Sequence, residues 1–565
     1  MAFQLSPGVN VSEIDLTTIV PSVATSIGAF AGPFAWGPVG EVTTISDEVR
    51  LAARFGKPDS TNYEYWFSAA NFLAYANNLK VVRAASIAST KNAVANGAGA
   101  LIKNDDDWLS NFSGGANTHG EFAARYAGAL GNSLKVSVAD ANTYSGWAYS
   151  SQFTAAPSTS TYTSNQGGAN DEIHIIVVDE DGKFTGTAGT VLEKFGFVSK
   201  AADAKDDSGN TNYYKNVIAN KSAYINWLCH PTANGGASYA NSSSNWGNNA
   251  ANVNFTNLAA NVTISLIGGA DGTVSTANVV TAYDFFSNAE QIDINLIVSG
   301  PGDATVAASL ITIAETRKDA MAFISPTKAS VVDNAGSEAD DIITFRDALT
   351  SSSYAVIDSG YKYQYDKYND VYRWIPLNGD VAGLCARTDL ERDPWFSPGG
   401  LNRGILKNVI KLAYSPDKTD RDDLYVKGIN PVVTFQGEGT VLFGDKTMLA
   451  KPSAFDRINV RRLFIVLEKA IAKAARFSLF EFNDQFTRAS FVNLVEPYLR
   501  DVQGRRGIYD FRVVCDESNN TPEVIDRNEF VGDIYIKPAR SINFIQLNFV
   551  AVRTGVSFDE VVGKF

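Results

Sequence analysis

The strongest constraint on how this chain folds is an α/β pattern that begins, stops and resumes. Residues 23–85 hold an apolar stretch punctuated by glycine, Ile27 to Val39, then an amphipathic helical pattern around Tyr63 to Asn77, then the strand-like LKVVRA ending at Ala84. That is a β-α-β opening. From about Tyr283 the same alternation returns, with IDINLIVSG as a buried strand, TIAETRKDA as a helix and MAFISP as a further strand. Between them, from Ser86 to about Ala282, the composition turns to Asn, Ser, Thr, Gly and Ala, as in NTYSGWAYSSQFTAAPSTSTYTSNQGGAN. Strand signals stand out inside that zone at KVSVAD, IHIIVVD and VTISLIGG, and Asp181-Gly182 predicts a short hairpin turn. The simplest reading is one α/β domain split by a largely β insertion with polar surface loops.

Farther along, TFRDAL and YAVID continue the parent domain, and the Tyr-rich YKYQYDKYNDVYRWIPL alternates as a hairpin does. Beyond about Asp420, VVTFQGEGTVLF reads as strand and turn, Arg457 to Phe480 as a long helix, and FRVVCD, IYIKPA and SINFIQLNFVAV as strands with antiparallel pairing. The expected fold class is α/β and α+β multi-domain: a discontinuous α/β domain over 23–85 and 283–419, a mostly β outer insertion over 86–282, and an α+β C-terminal domain over 420–565. An N-terminal arm, residues 1–22, completes that last domain. A chain of 565 residues is long enough for three to four domains at about 150 residues each.

The net charge of −13 is unevenly placed, since residues 421–565 carry 20 Lys plus Arg against 19 Asp plus Glu, which leaves 28 against 42 for the first 420. An acidic outer body repels nucleic acid and anionic membrane, and a locally basic element in the last quarter suits an acidic partner. Cys229, Cys385 and Cys515 lie far apart with no CxxC pair, which fits reduced core thiols in a cytoplasmic product. No basic region followed by an apolar run opens the sequence, and no stretch of about 18 uncharged apolar residues occurs, so neither secretion nor a membrane span is expected.

Residues able to carry chemistry are few. His119, His174 and His230 show no ligand pair at helical spacing, and no GxSxG elbow is present. Gly439 and Gly444 stand at phosphate-loop spacing, but Asp445 replaces the lysine that should follow, and Val441, Leu442 and Phe443 read as buried strand. Asp105 to Asp107, and Asp179 with Asp181, fit no calcium loop and read as solvated loop charge. No catalytic residue, metal or cofactor is expected.

The helix RINVRRLFIVLEKAIAKAARFSLF has the sharpest physical signature. On a helical wheel Leu463, Val466, Leu467, Ala470, Ile471, Ala474 and Phe477 share one face, while Arg462, Lys469, Lys473 and Arg476 form a stripe beside it that the lone acid, Glu468, does not join. Aligned cations without partners imply either a solvated face or an acidic surface outside the chain. With no aromatic interleaving for base stacking, a protein partner is preferred to nucleic acid. The two ends carry strand-compatible residues with little core to join: Val9 and Val11 share a face with Glu13 near Ile14, and the tail VSFDEVVGKF presents Val556, Phe558 and Val561 after Gly555. Such strands pair within the chain or lend an edge to a neighbour.

These segments together resemble a family. SPGVNVSEID, AFAGPFAWGPVGEV, NFLAYANNLKVVRA, GALGNSLKVSV, VLEKFGFVS, LIGGADG, INVRRLFIVLEKAI, VEPYLRDVQGRRGIYDFRVVCDESNNTPEVIDRNEFVGDIYIKP and INFIQLNFVAVRTGVSF are similar to the contractile tail sheath proteins of myoviruses, in particular the large multi-domain kind of the T-even phages. The resemblance implies a structural, non-enzymatic subunit of stacked hexameric rings around a tail tube, contracting to drive the tube through the host envelope. It also implies other copies of the chain, the tube, baseplate and tail terminator proteins as partners, no nucleic acid or membrane partner, and a place in the virion tail after assembly in the host cytoplasm. In that family a basic C-terminal-domain helix holds the tube, which corresponds to Arg462, Lys469, Lys473 and Arg476. The terminal arms, at Val9, Val11, Glu13 and Ile14 and at Val556, Phe558 and Val561 with Gly555 as hinge, link neighbouring subunits. A sheath from a tail-derived machine, such as a bacteriocin or secretion apparatus, is the nearest alternative, and a passive capsid or surface-layer protein a remoter one.

Overall fold

The computed structural model describes residues 20, 23–115, 118–231, 245–543 and 546. A sheet of seven strands organises them, in the order Ile429–Asn430, Ala355–Asp358, Met321–Ile324, Leu296–Val298, Gly28–Pro33, Leu79–Ala84, Thr43–Ile45. All neighbours run parallel except Thr43–Ile45, which pairs antiparallel with Leu79–Ala84 at the edge. The interior strand GAFAGP is built mainly of small residues because helices close over both faces. A Cβ on Gly28 would stand 2.5 Å from the Phe72 ring. One face is covered by Tyr63–Leu73 and Asn378–Glu391, through Phe67, Phe72, Val381 and Leu384. The other is covered by Thr276–Tyr283 and Ala304–Arg317, through Tyr283, Val306 and Leu310. The near-continuous apolar strands are what burial on both faces of a parallel sheet requires.

The sheet therefore takes strands from both sides of the Asn- and Ser-rich zone, which folds apart from it. That zone builds an antiparallel sheet in the order Thr190–Ser199, Glu172–Asp179, Leu134–Asp140, Val262–Ser265. Its core holds Trp108, Val136, Ile175, Tyr214 and Trp227. The hairpin expected at Asp181-Gly182 is wider than a two-residue turn. Residues 180–189 form a loop gathered by the Asp179 carboxylate, which accepts from the Phe184 and Thr185 amides at 3.0 and 2.8 Å. Arg83, at the end of a parent-domain strand, is buried and donates to the carbonyls of Gly37 (2.9 Å) and Ala127 (2.7 Å), tying the insertion to its host.

The Tyr-rich segment forms the hairpin Tyr361–Asp366 with Val371–Pro376, and Val432–Phe435 pairs with Gly439–Leu442. In the last quarter the helices Ile458–Ala475 and Gln485–Gly504 pack on the antiparallel pair Ile508–Val514 and Asp533–Pro538. The long helix ends at Ala475 rather than Phe480, in a 3₁₀ turn over Arg476–Ser478. Val20 and Val23 lie against Ala470, Ala474, Leu494 and Tyr498, so the segment entering the first strand crosses the C-terminal helices. The arm residues Val9, Val11, Glu13 and Ile14, the tail residues Val556, Phe558 and Val561, and the hinge Gly555 lie outside the described residues, as does most of the strand expected at SINFIQLNFVAV.

Beneath the Tyr-rich hairpin, Lys362 and Asp380 form an ion pair of 2.8 Å with both side chains fully enclosed, and Tyr75 donates to the same carboxylate at 2.9 Å. Removing one partner of such a pair leaves a bare charge in a low-dielectric interior, whereas removing both does not. Lys362→Met should lower unfolding free energy by about 3–5 kcal/mol in urea titrations, and Lys362→Met with Asp380→Leu should recover most of that loss.

Candidate functional site

In open parallel sheets a ligand sits outside the carboxyl ends of the strands, where the strand order reverses. Here that point lies between Gly28–Pro33 and Leu296–Val298, and the chain's own side chains occupy it. Tyr283 donates to the Val298 carbonyl at 2.6 Å, Asn378 bonds both polar groups of Gly300, at 2.7 and 3.2 Å, and the Tyr361 hydroxyl accepts from the Gly302 amide at 3.3 Å. Ser325 extends the network, accepting from Asn378 and donating to Asp358 at 2.7 Å. Burial pushes the Asp358 carboxyl up to about 8 against the opposing hydrogen bonds from Ser325 and Gly360. These buried polar groups partner one another and brace the crevice.

The other candidate features resolve in the same way. His174 stacks on Phe153 at 4.2 Å, accepts from the Phe197 amide at 3.0 Å and bonds the Ala155 carbonyl at 2.9 Å, and burial lowers its affinity for protons. His230 meets the Tyr214 hydroxyl at 2.6 Å, and burial brings it down to about 4. Asp105 to Asp107 open the short helix Asp105–Asn111, Asp105 pairing with Arg125. Cys229, Cys385 and Cys515 are all buried and free. Among the described residues no group of three His, Cys, Asp or Glu is placed to hold a metal ion, and no helix is long and apolar enough to cross a membrane. Val441 and Leu442 are buried strand as expected, but Phe443 is turned outward.

The remaining site is the Ile458–Ala475 helix. Its heptad-like apolar positions Leu463, Leu467 and Ile471 meet Phe491, Val495 and Leu499 of the Gln485–Gly504 helix. A second face, through Ile458 and Ile465, joins the core under the parallel sheet. Being packed on two sides, the helix cannot offer the whole cationic stripe to solvent. Arg462 is buried and pairs with Asp389 of the Asn378–Glu391 helix at 2.5 Å, with further bonds to the Cys385 and Thr25 carbonyls. Lys469 pairs with Asp293 and lies 3.9 Å from Asp319, which is itself held by Arg317 at 2.8 Å. These two cations are a clasp between the C-terminal helix and the α/β domain, not members of an unpaired stripe. Arg461 joins them, its guanidinium 3.9 Å from the Phe455 ring and 4.3 Å from that of Tyr354.

Lys473 and Arg476 are different. They are exposed, in no ion pair among the described residues, and help to line a cleft of about 740 Å³ whose other lining residues include Glu290, Asp293 and Asp319. Beyond them the surface turns apolar. Phe477, placed on the core face by the helical wheel, is 62% exposed because the helix has ended, and Leu479 (62%), Phe480 (104%), Phe482 (84%) and Phe486 (81%) follow it outward. Val466 likewise lies only partly buried. The signal for this outward turn was present in FSLFEFNDQF: Asn483-Asp484 breaks the helical period, and Asp484 caps the next helix by accepting from the Thr487 amide at 2.8 Å.

Comparison with known proteins matches nearly the whole chain. Family models for the tail sheath protein Gp18 domain III N-terminal region, the phage tail sheath protein central domain and the phage tail sheath C-terminal domain match residues 25–84, 272–448 and 450–551. The tail sheath protein of Enterobacteria phage T4 is 34% identical over a 666-residue alignment covering 99% of each chain. The chain belongs to the phage tail sheath family. Tail sheath proteins of Vibrio phage KVP40 and Salmonella phage ViI are also 34% identical, over 99% of this chain and 100% and 98% of theirs. Among solved structures, a sheath tail protein from Desulfitobacterium hafniense shares the fold at a TM-score of 0.51 and 12% identity, over 91% of this chain and 94% of that one. As a phage tail sheath protein the chain is a structural subunit of a contractile tail, part of the virion.

Two expectations follow for this sheath subunit. Arg462→Met strands Asp389 in the interior and should lower stability by about 3–5 kcal/mol in thermal or urea unfolding, whereas Lys473→Met, at an exposed position, should stay within about 0.5 kcal/mol of the parent. Asp358 keeps its proton in the fold up to about pH 8 while the unfolded chain releases it near pH 3.9, so the native state binds the extra proton between those values. Stability relative to Asp358→Asn should therefore fall as pH rises from about 4 to about 8 and level off above, as read from unfolding midpoints across that range.

Proposed function

We propose that the chain polymerises as stacked hexameric rings around the tail tube and contracts to drive the tube through the host envelope, without catalysing a reaction. The observation that carries this reading is the 34% identity to tail sheath proteins of three phages over essentially their full lengths. The same full-length match favours an intact phage over a tail-derived machine and over a passive coat. Further copies of the chain, the tube, the baseplate and the tail terminator are its partners, and assembly takes place in the host cytoplasm.

Of the expected division into an α/β body over 23–85 and 283–419, an outer domain over 86–282 and a C-terminal domain over 420–565 with residues 1–22, we shift two bounds: Thr276–Tyr283 packs on the seven-stranded sheet and Ile429–Asn430 is one of its strands, so both are assigned to the body. The arms around Val9, Val11, Glu13 and Ile14 and around Val556, Phe558 and Val561, flexing at Gly555, add strands to neighbouring subunits. Val20 against Ala470 and Ala474 supports the start of that path, since it brings the N-terminal segment onto the C-terminal helices. Unpaired sheet edges accept such strands through main-chain hydrogen bonds. The cationic contact with the tube narrows to Lys473 and Arg476, because Arg462 and Lys469 already have carboxylate partners. Two exposed ion pairs contribute only about 0.2–1 kcal/mol each, weak enough to be released on contraction.

Electron microscopy of the purified full-length chain at high concentration should show rings or tubes, and a chain that stays monomeric with and without tube protein would defeat this reading. Deleting residues 1–20 should leave a folded monomer that does not polymerise; unchanged tubes from that variant would remove the arm from the assembly.

A further inference from the structure

Asp445 stands where a phosphate loop would carry its lysine, and its contacts show what the carboxylate does instead. It is buried and receives four donors. Two belong to the body of the subunit: the Tyr425 hydroxyl, on the helix Lys418–Val426, and the Arg457 guanidinium, at the foot of the helix Ile458–Ala475, both donate to one oxygen at 3.2 Å. The other two come from beyond the last strand, Asp533–Pro538. Ser541 donates to the second oxygen at 2.6 Å, and the Asn543 side-chain amide donates to the first at 3.1 Å. The same amide donates to the Tyr425 hydroxyl at 2.8 Å, so both of its N–H groups are used.

Ser541 and Asn543 turn toward the carboxylate while Ile542 between them turns away, 83% exposed, the alternation of an extended chain. Among the described residues, main-chain hydrogen bonding ends at Ala539, whose amide donates to the Gly507 carbonyl at 3.1 Å. What fixes residues 540–543 is therefore the side-chain bonding at Asp445. That clamp reaches deep into the subunit. Leu424, next to Tyr425, packs in the core on one face of the parallel sheet, and Ile458, next to Arg457, packs in the core on the other. A pull on residue 543 passes to both faces of the sheet through one buried carboxylate, and hydrogen bonds to a charged group are the strong kind.

We propose that Asp445 anchors the root of the C-terminal tail: Ser541 and Asn543 form the fixed end from which residues 544–565 continue, and the carboxylate ties that end to the α/β body. The use of this anchor in assembly rests on the sheath reading above, in which the tail lends a strand to a neighbouring subunit. A fixed root keeps that strand within reach of the neighbour's edge and passes tension between subunits, whereas a loose root does neither.

The test is limited trypsin digestion of the full-length chain, following cleavage after Arg540 by mass spectrometry and dividing each rate by that of the same bond in the urea-unfolded chain. Proteolysis of a folded protein samples local opening, so this ratio reports how often the clamp releases. Ser541→Ala with Asn543→Ala leaves Asp445 paired with Arg457 and should speed the cut about tenfold or more with the unfolding midpoint unchanged. Asp445→Ala should speed it as much, and adding both alanines to that variant should add nothing, because the three side chains act through one contact. Should Asp445→Ala fail to fold, the double-alanine variant decides alone. Equal cutting of wild type and the double-alanine variant overturns the anchor, as does a fully additive effect of the three substitutions. In sedimentation at equal concentration the double-alanine variant should polymerise about tenfold less than wild type, and equal polymerisation with faster cutting overturns the anchor's part in assembly. A wild type that never polymerises yet shows the protection overturns the sheath reading and leaves the anchor standing.

Discussion

The pairing of Gly28–Pro33 with Leu296–Val298 is the contact on which the rest of the subunit depends. It brings together segments 268 residues apart, as the Ile27 amide and Asn295 side chain record, and it sets the N-terminal strand inside the parallel sheet, between Leu296–Val298 and Leu79–Ala84. Closing so long a loop costs chain entropy, though the cost grows only slowly with length. What offsets it is burial on both faces of the sheet by helices drawn from each half of the domain. The intervening residues can then fold as a separate antiparallel unit, joined at Arg83, without disturbing the sheet.

From that sheet outward, the chemistry is used for bracing. The crevice where a sheet of this order takes a ligand is filled by Tyr283, Asn378, Tyr361 and Ser325, and its one unusual carboxyl, Asp358, is satisfied inside the chain. Buried charges follow the same rule: Lys362 with Asp380, Lys200 with Asp140 at 3.2 Å, and Arg462 with Asp389. Each is costly to break and contributes little beyond a well-packed apolar substitute, so their value to a mechanical subunit is that they fix one arrangement of its parts.

Much of this was legible in the sequence because it is periodic. LKVVRA, MAFISP, KVSVAD and the Tyr-rich hairpin announce strands by local pattern, and the α/β alternation that resumes near Tyr283 supplies strands that join Gly28–Pro33 in one sheet. The site was less legible, for a physical reason. A helical wheel knows the order of side chains around one axis but not which faces meet a second domain. Arg462 and Lys469 look unpaired in sequence because their partners, Asp389 and Asp293, lie far away along the chain. The wheel also continues past the true helix end and thereby draws Phe477 into the core, when the 3₁₀ turn at Arg476–Ser478 sends it to the surface.

That misplacement changes the physical character of the surface. Four aligned cations would hold a partner by charge alone, through a contact that ordinary salt screens strongly. Two cations beside five exposed apolar residues leave this surface with far less charge than the wheel implies, and so with less that salt can screen. The clasp of Arg462 and Lys469 ties the helix to the α/β body, so that two of the four aligned cations serve the packing of the subunit itself.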